Sequence, residues 1–370
     1  MSSSASPYRL RHVAETALVA AAGGLTLGLA KFPAGFLSGA ILFVAVASLA
    51  GRPMTVPGSV ARVFFVLLGT SIGAVVTPQT LAGIGSYPVS IISVTLAMVC
   101  ITGASVTYLR RVHGWDTQTA VLAAIPGALS QVVAVGADQN ADLRAIAIVQ
   151  TLRVAILAIG VPVGMSLLGL VSGPAQLPAQ PDLSIRSLVE LATLLSASTA
   201  VAIAIYRLGF PGGLIFGAML TSAFLHGSGF VHVSLPWWVV DGSMIALGAF
   251  SGSRFAGTDI WLLLRFSGAA LGCFAIGMAV TALCAVAVTA VLPVRLSDAV
   301  IAYAPGSIDA MMILALALHL DPVFVGAHHL ARVFVISVSL PFLARWTAPA
   351  EAKAAEPAFA PHKRRGTFQD

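Results

Sequence analysis

Charge is what this chain has least of. Only 9% of its 370 residues are Asp, Glu, Lys or Arg, against about 25% in a soluble domain. The outer helices of a soluble helical protein need polar faces, and this chain has almost nothing to build them from. Cysteine is scarce too. Cys100, Cys273 and Cys284 each lie inside an apolar run with no metal-ligand spacing, which excludes a disulfide framework and a zinc module and leaves packing as their role. Also missing are a nucleophilic triad, a phosphate loop, a dinucleotide-binding glycine pattern and a kinase signature. No enzyme activity and no cofactor are therefore expected. His319, His328 and His329 stand near Asp309 and Asp321, yet they form neither an i, i+4 histidine pair nor a HExxH motif. No metal site is expected from them.

Apolar residues take the place of the missing charge. They make up 58% of the chain, and the mean hydropathy is +0.95. Apolar runs of about 17–28 residues recur throughout, long enough to cross a hydrocarbon core of roughly 30 Å as helices. The fold class is an all-α polytopic integral membrane protein with the lipid bilayer as its solvent. The formal net charge of +6 does not indicate a nucleic-acid partner. The basic residues mark segment ends, as at Arg9, Arg11, Arg52, Arg62, Arg110, Arg111 and Arg207, and cluster at Lys363-Arg364-Arg365 in a polar tail. That is the pattern of cytoplasmic anchors. The N-terminal apolar run has no small-residue cleavage site after it and reads as a retained helix rather than a removed signal.

The chain also says nearly the same thing twice. AVLAAIPG at 120–127 returns as AVIAYAPG at 299–306, and Asp142, Arg153 and Pro162 return as Asp321, Arg332 and Pro341, all at an offset of 179. FPAGFLSGA at 32–40 returns as FPGGLIFGA at 210–218. The organisation expected is a cytoplasmic N-terminus (1–12), a first membrane repeat (13–170), a linker (171–186), a second repeat (187–346) and a polar tail (347–370). Six apolar segments fall in each half. The basic segment ends shift phase between the halves, which suits inverted repeats with about 10 crossings in all and one Pro-Gly-interrupted segment per half that does not cross. Parallel repeats with 12 crossings are the alternative. The small-xxx-small pairs Gly35/Gly39, Gly69/Gly73, Gly213/Gly217 and Gly248/Gly252 suit close helix packing, or a sliding surface.

The duplicated breaks and charges are the candidate site. Pro126-Gly127 and Pro305-Gly306 should each split a helix and free backbone groups that survive in a bilayer only inside protein or beside water. Ser130 and Gln131 follow the first break, and Ser307 and Asp309 the second. Arg153 and Arg332 each stand about 14 Å into a segment, near the midplane. Gln150 and His329 lie one turn earlier on the same face. Two readings stay open. These side chains clamp an anionic solute, or they tie the broken helices through an ion pair such as Arg332–Asp309 or through carbonyls. Asp309 and His329, present in one half only, are the candidates to couple a proton or sodium ion. Asp142 and Asp321 look like helix caps.

Through PGALSQ…DLRAIAIVQTLRV (126–154) and PGSIDAMMILALALHLDPVFVGAHHLARV (305–333) the chain resembles the bacterial AbrB-type membrane proteins. The resemblance implies an internally duplicated protein of the bacterial inner membrane. It also implies a distant tie to inverted-repeat secondary transporters with crossed broken helices. Members carry labels as regulators of gene expression or as ammonia monooxygenases. An unrelated soluble DNA-binding regulator shares the name, and its features are absent here. The family's second-half motif has Gly-Gly after the proline and an acidic pair. Here the run is Gly306-Ser307-Ile308-Asp309, so an ion stoichiometry does not carry over. The function expected is secondary transport of a small anionic or zwitterionic solute. A ligand-binding membrane regulator is the alternative, and a metal-dependent monooxygenase stands behind both. Self-association into a homo-oligomer stays open.

Overall fold

The computed structural model describes residues 7–76, 87–127, 129–138, 141–171 and 184–347. Most of the expected linker and tail lies outside them. Among the described residues there are fourteen α-helices and no strand. The first half holds α1 (Pro7–Leu29), α2 (Gly35–Leu49), α3 (Gly58–Ala74), α4 (Tyr87–His113), α5 (Thr117–Ala124), α6 (Leu129–Asp138) and α7 (Leu143–Leu167). The second half repeats them as α8 (Ile185–Arg207), α9 (Gly213–Gly227), α10 (Trp237–Gly252), α11 (Ile260–Val291), α12 (Leu296–Tyr303), α13 (Ile308–Ala317) and α14 (Pro322–Thr347). There are seven helices per half because, as expected, each Pro-Gly segment is split into two. Ile125 and Ala304, just before the prolines, take extended backbone at ψ 122 and 139. The ring of a following proline disfavours the helical region there.

Six helices are long and apolar enough to cross a membrane: α1 from Leu10, α4, α7, α8, α11 and α14 up to Leu340. Their outer faces present large apolar side chains to the surroundings, with Leu96 62% and Leu283 72% exposed. A soluble monomer does not carry such a surface, and the protein is a multi-pass membrane protein. The shorter α2, α3, α9 and α10 also expose apolar side chains, such as Val63, Phe224 and Trp238.

Hydrogen bonds count the crossings. α2 runs back along α1, so that Arg52 beyond its end pairs with Glu15 at 3.0 Å and the Thr55 N–H donates to Thr16 Oγ1 at 2.9 Å. The α5–α6 pair does not cross. The Asp142 N–H at the start of α7 donates to Thr119 Oγ1 at the start of α5 (3.1 Å), and Gly136 near the end of α6 packs on Leu122, Leu143 and Ile146. The pair enters and leaves by one face as a re-entrant hairpin. In the second half the Asp321 N–H donates to Asp298 Oδ1 at 2.8 Å, the same latch at the same register. Five crossings per half is an odd number, so the halves are inverted. One cavity confirms it. The end of α3 (Ala74, Val75) and the beginning of its counterpart α10 (Trp237) line it together, so equivalent helices point opposite ways. The inverted arrangement holds, and the parallel twelve-crossing one does not.

The helices form two bodies. In the first, α1–α3 interlock with α8–α10 through small residues. Gly69 and Gly73 of α3 press on the Ile215 and Met219 carbonyls of α9, while Gly248 and Gly252 of α10 press on the Leu37 and Ile41 carbonyls of α2. These are the same two contacts, exchanged by the pseudo-two-fold. A Cβ on Gly248 would stand 2.7 Å from the Leu37 oxygen, a distance no side chain tolerates, so the glycines serve close backbone approach. In the second body, α11 packs along α4 and α7 and the two hairpins lie between the long helices. The bodies touch most along α2 and α7, where Ser38 Oγ donates to the Ala158 carbonyl at 2.9 Å. Of the cysteines, Cys273 is buried, Cys284 half-buried and Cys100 exposed.

The inversion has a direct test. Arg144 at the base of the first hairpin and His319 at the base of the second are both exposed. With the native cysteines replaced, Arg144→Cys and His319→Cys should react with a membrane-impermeant maleimide from opposite faces of the membrane. Labelling of both from one face would refute the fold.

Candidate functional site

The site is built by a backbone problem. Pro126 and Pro305 end α5 and α12 inside the second body, where the last carbonyls of each helix lack partners along the chain. Arg153 on α7 answers in the first half. Its Nη1 donates to the Ala124 carbonyl at 3.3 Å and its Nη2 to the Ile125 carbonyl at 3.2 Å. One turn back, Gln150 Nε2 donates to the Leu122 carbonyl at 3.0 Å. The second half repeats this. Arg332 on α14 donates through Nη1 to the Ala304 carbonyl at 2.7 Å and through Nη2 to the Gly306 carbonyl. His329 Nε2 bonds the Ile301 carbonyl at 3.0 Å. A cation at a helix C-terminus also meets the negative end of its dipole.

The tautomer of His329 follows from its partners. Arg332 Nη2 also contacts His329 Nδ1. A guanidinium can only donate, so Nδ1 accepts and the ring proton sits on Nε2, pointing at Ile301. A second proton on that ring would remove the acceptor and set two positive charges together. His328, next along the helix, turns elsewhere. Its Nδ1 bonds the Phe324 carbonyl and its Nε2 bonds Ser90 Oγ of α4 at 2.8 Å.

The hairpin tips meet. Gly127 has φ +86, and a Cβ there would stand 3.0 Å from the Gly306 oxygen and 3.8 Å from Arg332 Nη2. Only glycine combines that left-handed backbone with so close an approach. Arg153 and Arg332 are each 2% exposed. Neither has an ion-pair partner among the described residues. Each keeps a buried Nε–H with no hydrogen-bond partner there.

The other expected residues are placed as follows. Pro126 and Pro305 are buried, and Pro305 packs on Gly277 of α11. Gln131 reaches across the repeats, donating from Nε2 to Ser337 Oγ of α14 at 3.0 Å. The side chain of Ser130 lies outside the described residues. Ser307 is the N-cap of α13, half-buried, with no side-chain capping bond. Asp309 does not pair with Arg332. It lies beside Gly212, whose Cβ position would be 3.5 Å from Asp309 Oδ1, and its charge couples to Arg254. Of the two tying arrangements expected, the one realised is the carbonyl tie. Asp142 and Asp321 are caps, accepting from Arg144 and Ala145 and from Val323 and Phe324. Sequence reasoning missed the Thr119 and Asp298 latches and the bond from Tyr303 Oη to the Ser90 carbonyl that moors the second hairpin to α4. The latches' only signal was a polar residue at equal register in both hairpins, and Tyr303, whose counterpart is Ala124, had none.

Two hairpins of broken helices, meeting tip to tip between inverted halves, define the class: a polytopic inverted-repeat membrane protein with paired broken helices. Residues 36–348 match the model of the family described as "Transition state regulatory protein AbrB", and the chain belongs to that family. It is 25% identical over 351 residues to "Uncharacterized protein YhjN" of Bacillus subtilis (strain 168), covering 87% of this chain and 90% of that relative. It is 27% identical over 327 residues to "Putative regulator AbrB" of Escherichia coli (strain K12), covering 85% and 90%. No solved structure matches the chain.

The tie sets an expectation for stability. His329→Leu leaves the Ile301 carbonyl and an Arg332 donor unpaired in the interior, at about 1–3 kcal/mol, and should lower the melting temperature. His329→Gln copies Gln150 and should melt close to the parent. Equal losses in both variants would show that the ring does not serve the carbonyl.

Proposed function

We propose that this protein is a secondary transporter of a small anionic or zwitterionic solute, seated in a bacterial inner membrane. The observation that carries the reading is the tip-to-tip meeting of two inverted broken helices beside two buried arginines. Matching broken helices in inverted repeats are the best pointer to a transporter site. Two buried positive charges with no carboxylate among them favour an anionic group nearby. Each guanidinium binds carbonyls with part of its donor set and keeps Nε–H free. Pro126, Gly127, Pro305 and Gly306 set the broken backbone at that point. Gln150 and His329 hold it, while Ser130, Gln131 and Ser307 supply polar neighbours. Because His329 is fixed as a neutral donor, the coupling proton or sodium ion falls to Asp309. The face carrying Arg11, Arg52, Arg62, Arg110, Arg111, Arg207 and Arg265 is cytoplasmic on the charge rule, against Lys31, Arg186 and Arg295 on the other.

A second reading has one specific support. The family description and one relative's name both speak of a regulator, so the same fold would bind a ligand without moving it. Nothing in the described residues favours the oxygenase label.

Flux into proteoliposomes separates the two readings. Uptake and counterflow of a candidate solute are expected. Arg153→Lys and Arg332→Lys should abolish both and should also melt below the parent, because a single ammonium cannot bridge two carbonyls with a planar fork. Saturable binding with no counterflow would sink transport and leave the regulator.

A further inference from the structure

A cavity of about 560 Å³ opens between the two bodies on the face opposite the N-terminus of α1. Its walls are apolar, with Phe36, Leu235, Val240 and Met244 among them, and Trp237 stands at the mouth. Three ionisable side chains line it: Lys31, Asp241 and His319. Lys31 and His319 are exposed and Asp241 is half-buried. Asp241 lies four residues into α10, about 6 Å below Trp237 at the usual helical rise. Neither Lys31 nor Asp241 has an ion-pair partner among the described residues. The two opposite charges share a cavity without neutralising each other.

The backbone singles out the same place. Three described non-glycine residues have positive φ: Lys31 at 55, Ala34 at 51 and His319 at 56. All three line this cavity. L side chains enter that conformation only at a cost, and such strain collects where a side chain is needed. The pseudo-symmetric half shows the unstrained solution. Lys31 and Ala34 correspond to Gly209 and Gly212, with φ +74 and +66. Glycine makes the same turn without strain, so the first half holds a lysine there against its backbone preference.

We propose that this cavity is a binding site for a small zwitterion with an apolar body. The ammonium sits on Asp241, the carboxylate on Lys31 with His319 beside it, and the apolar part lies against Phe36 and Trp237. The volume falls within the range of small-molecule sites, which pair apolar walls with a few placed polar groups. This assignment concerns binding alone and stands whether or not a solute is carried across.

Calorimetric titration of the full chain in lipid nanodiscs tests it with three probes. These are L-phenylalanine, N-acetyl-L-phenylalanine, which lacks the ammonium, and L-phenylalanine amide, which lacks the carboxylate. Phenylalanine should bind about tenfold or more tightly than either analogue, the size of one charged contact. Asp241→Asn should erase its advantage over the N-acetyl form, and Lys31→Gly its advantage over the amide. Lys31→Gly should also melt no lower than the parent, because it relieves the strained turn. Equal or absent binding of the three probes overturns the proposal. So does a lower melting temperature for Lys31→Gly, which would make the lysine structural. Intact binding with no flux would instead count against transport and leave this site in place.

Discussion

Everything in the second body depends on satisfying carbonyls that two prolines set free. A broken helix in a bilayer survives only if its loose backbone groups find partners inside the protein. The chain has few acidic side chains to offer. Arginine is the economical answer, because one planar group reaches two carbonyls at once and sits at the negative end of the helix dipole. Burying it is expensive, so the rest of the body is arranged to keep both guanidiniums on their oxygens. The hairpin bases are latched at Thr119 and Asp298, the starts of α7 and α14 are capped by aspartates, and the second hairpin is moored to α4 through Tyr303.

The inversion explains why the solution occurs twice with different chemistry. Pseudo-symmetry repeats the geometry, so any side chain that donates from the right place serves. Gln150 does this with an amide and His329 with an Nε2–H. Thr119 and Asp298 likewise do one job with a hydroxyl and a carboxylate. The Asp298 carboxylate needs a counter-charge, and Arg295 supplies it through a two-pronged contact at 2.7 and 3.1 Å. A residue that differs between the halves is therefore not automatically functional. His329 is structural by this comparison.

The duplication, the helix breaks and the caps were all legible in the sequence, because each rests on a local signal: a repeated motif, a proline, an aspartate at a helix start. The inversion was legible through the basic segment ends. The split of each Pro-Gly segment into two helices was legible too, at Pro126 and Pro305. Two things were not. The partner of Arg332 could not be read, because Asp309 at a favourable spacing and a bare carbonyl look alike until the hairpin closes. The cavity lined by Lys31, Asp241 and His319 joins residues from both halves that share no motif, so no local signal marked it.

That cavity also shows where the two-fold fails. Phe32 lines open space on one face. Its counterpart Phe210 is packed edge-on against Phe216 and Phe334, with ring centres 6.1 and 6.0 Å away, and Phe65 and Phe250 form a similar pair nearby. Two crevices that symmetry makes equivalent are thus unequal: one is open between the bodies and the other is filled with aromatic rings. Packed interfaces have discrete arrangements rather than a continuous range. Transport as proposed above would require a second arrangement, in which the roles of the two crevices are exchanged. On the transporter reading, the slender contact of α2 with α7 and the aromatic cluster at Phe210 are the surfaces that must repack in that exchange. The carbonyl ties, all internal to the second body, are the contacts that must not.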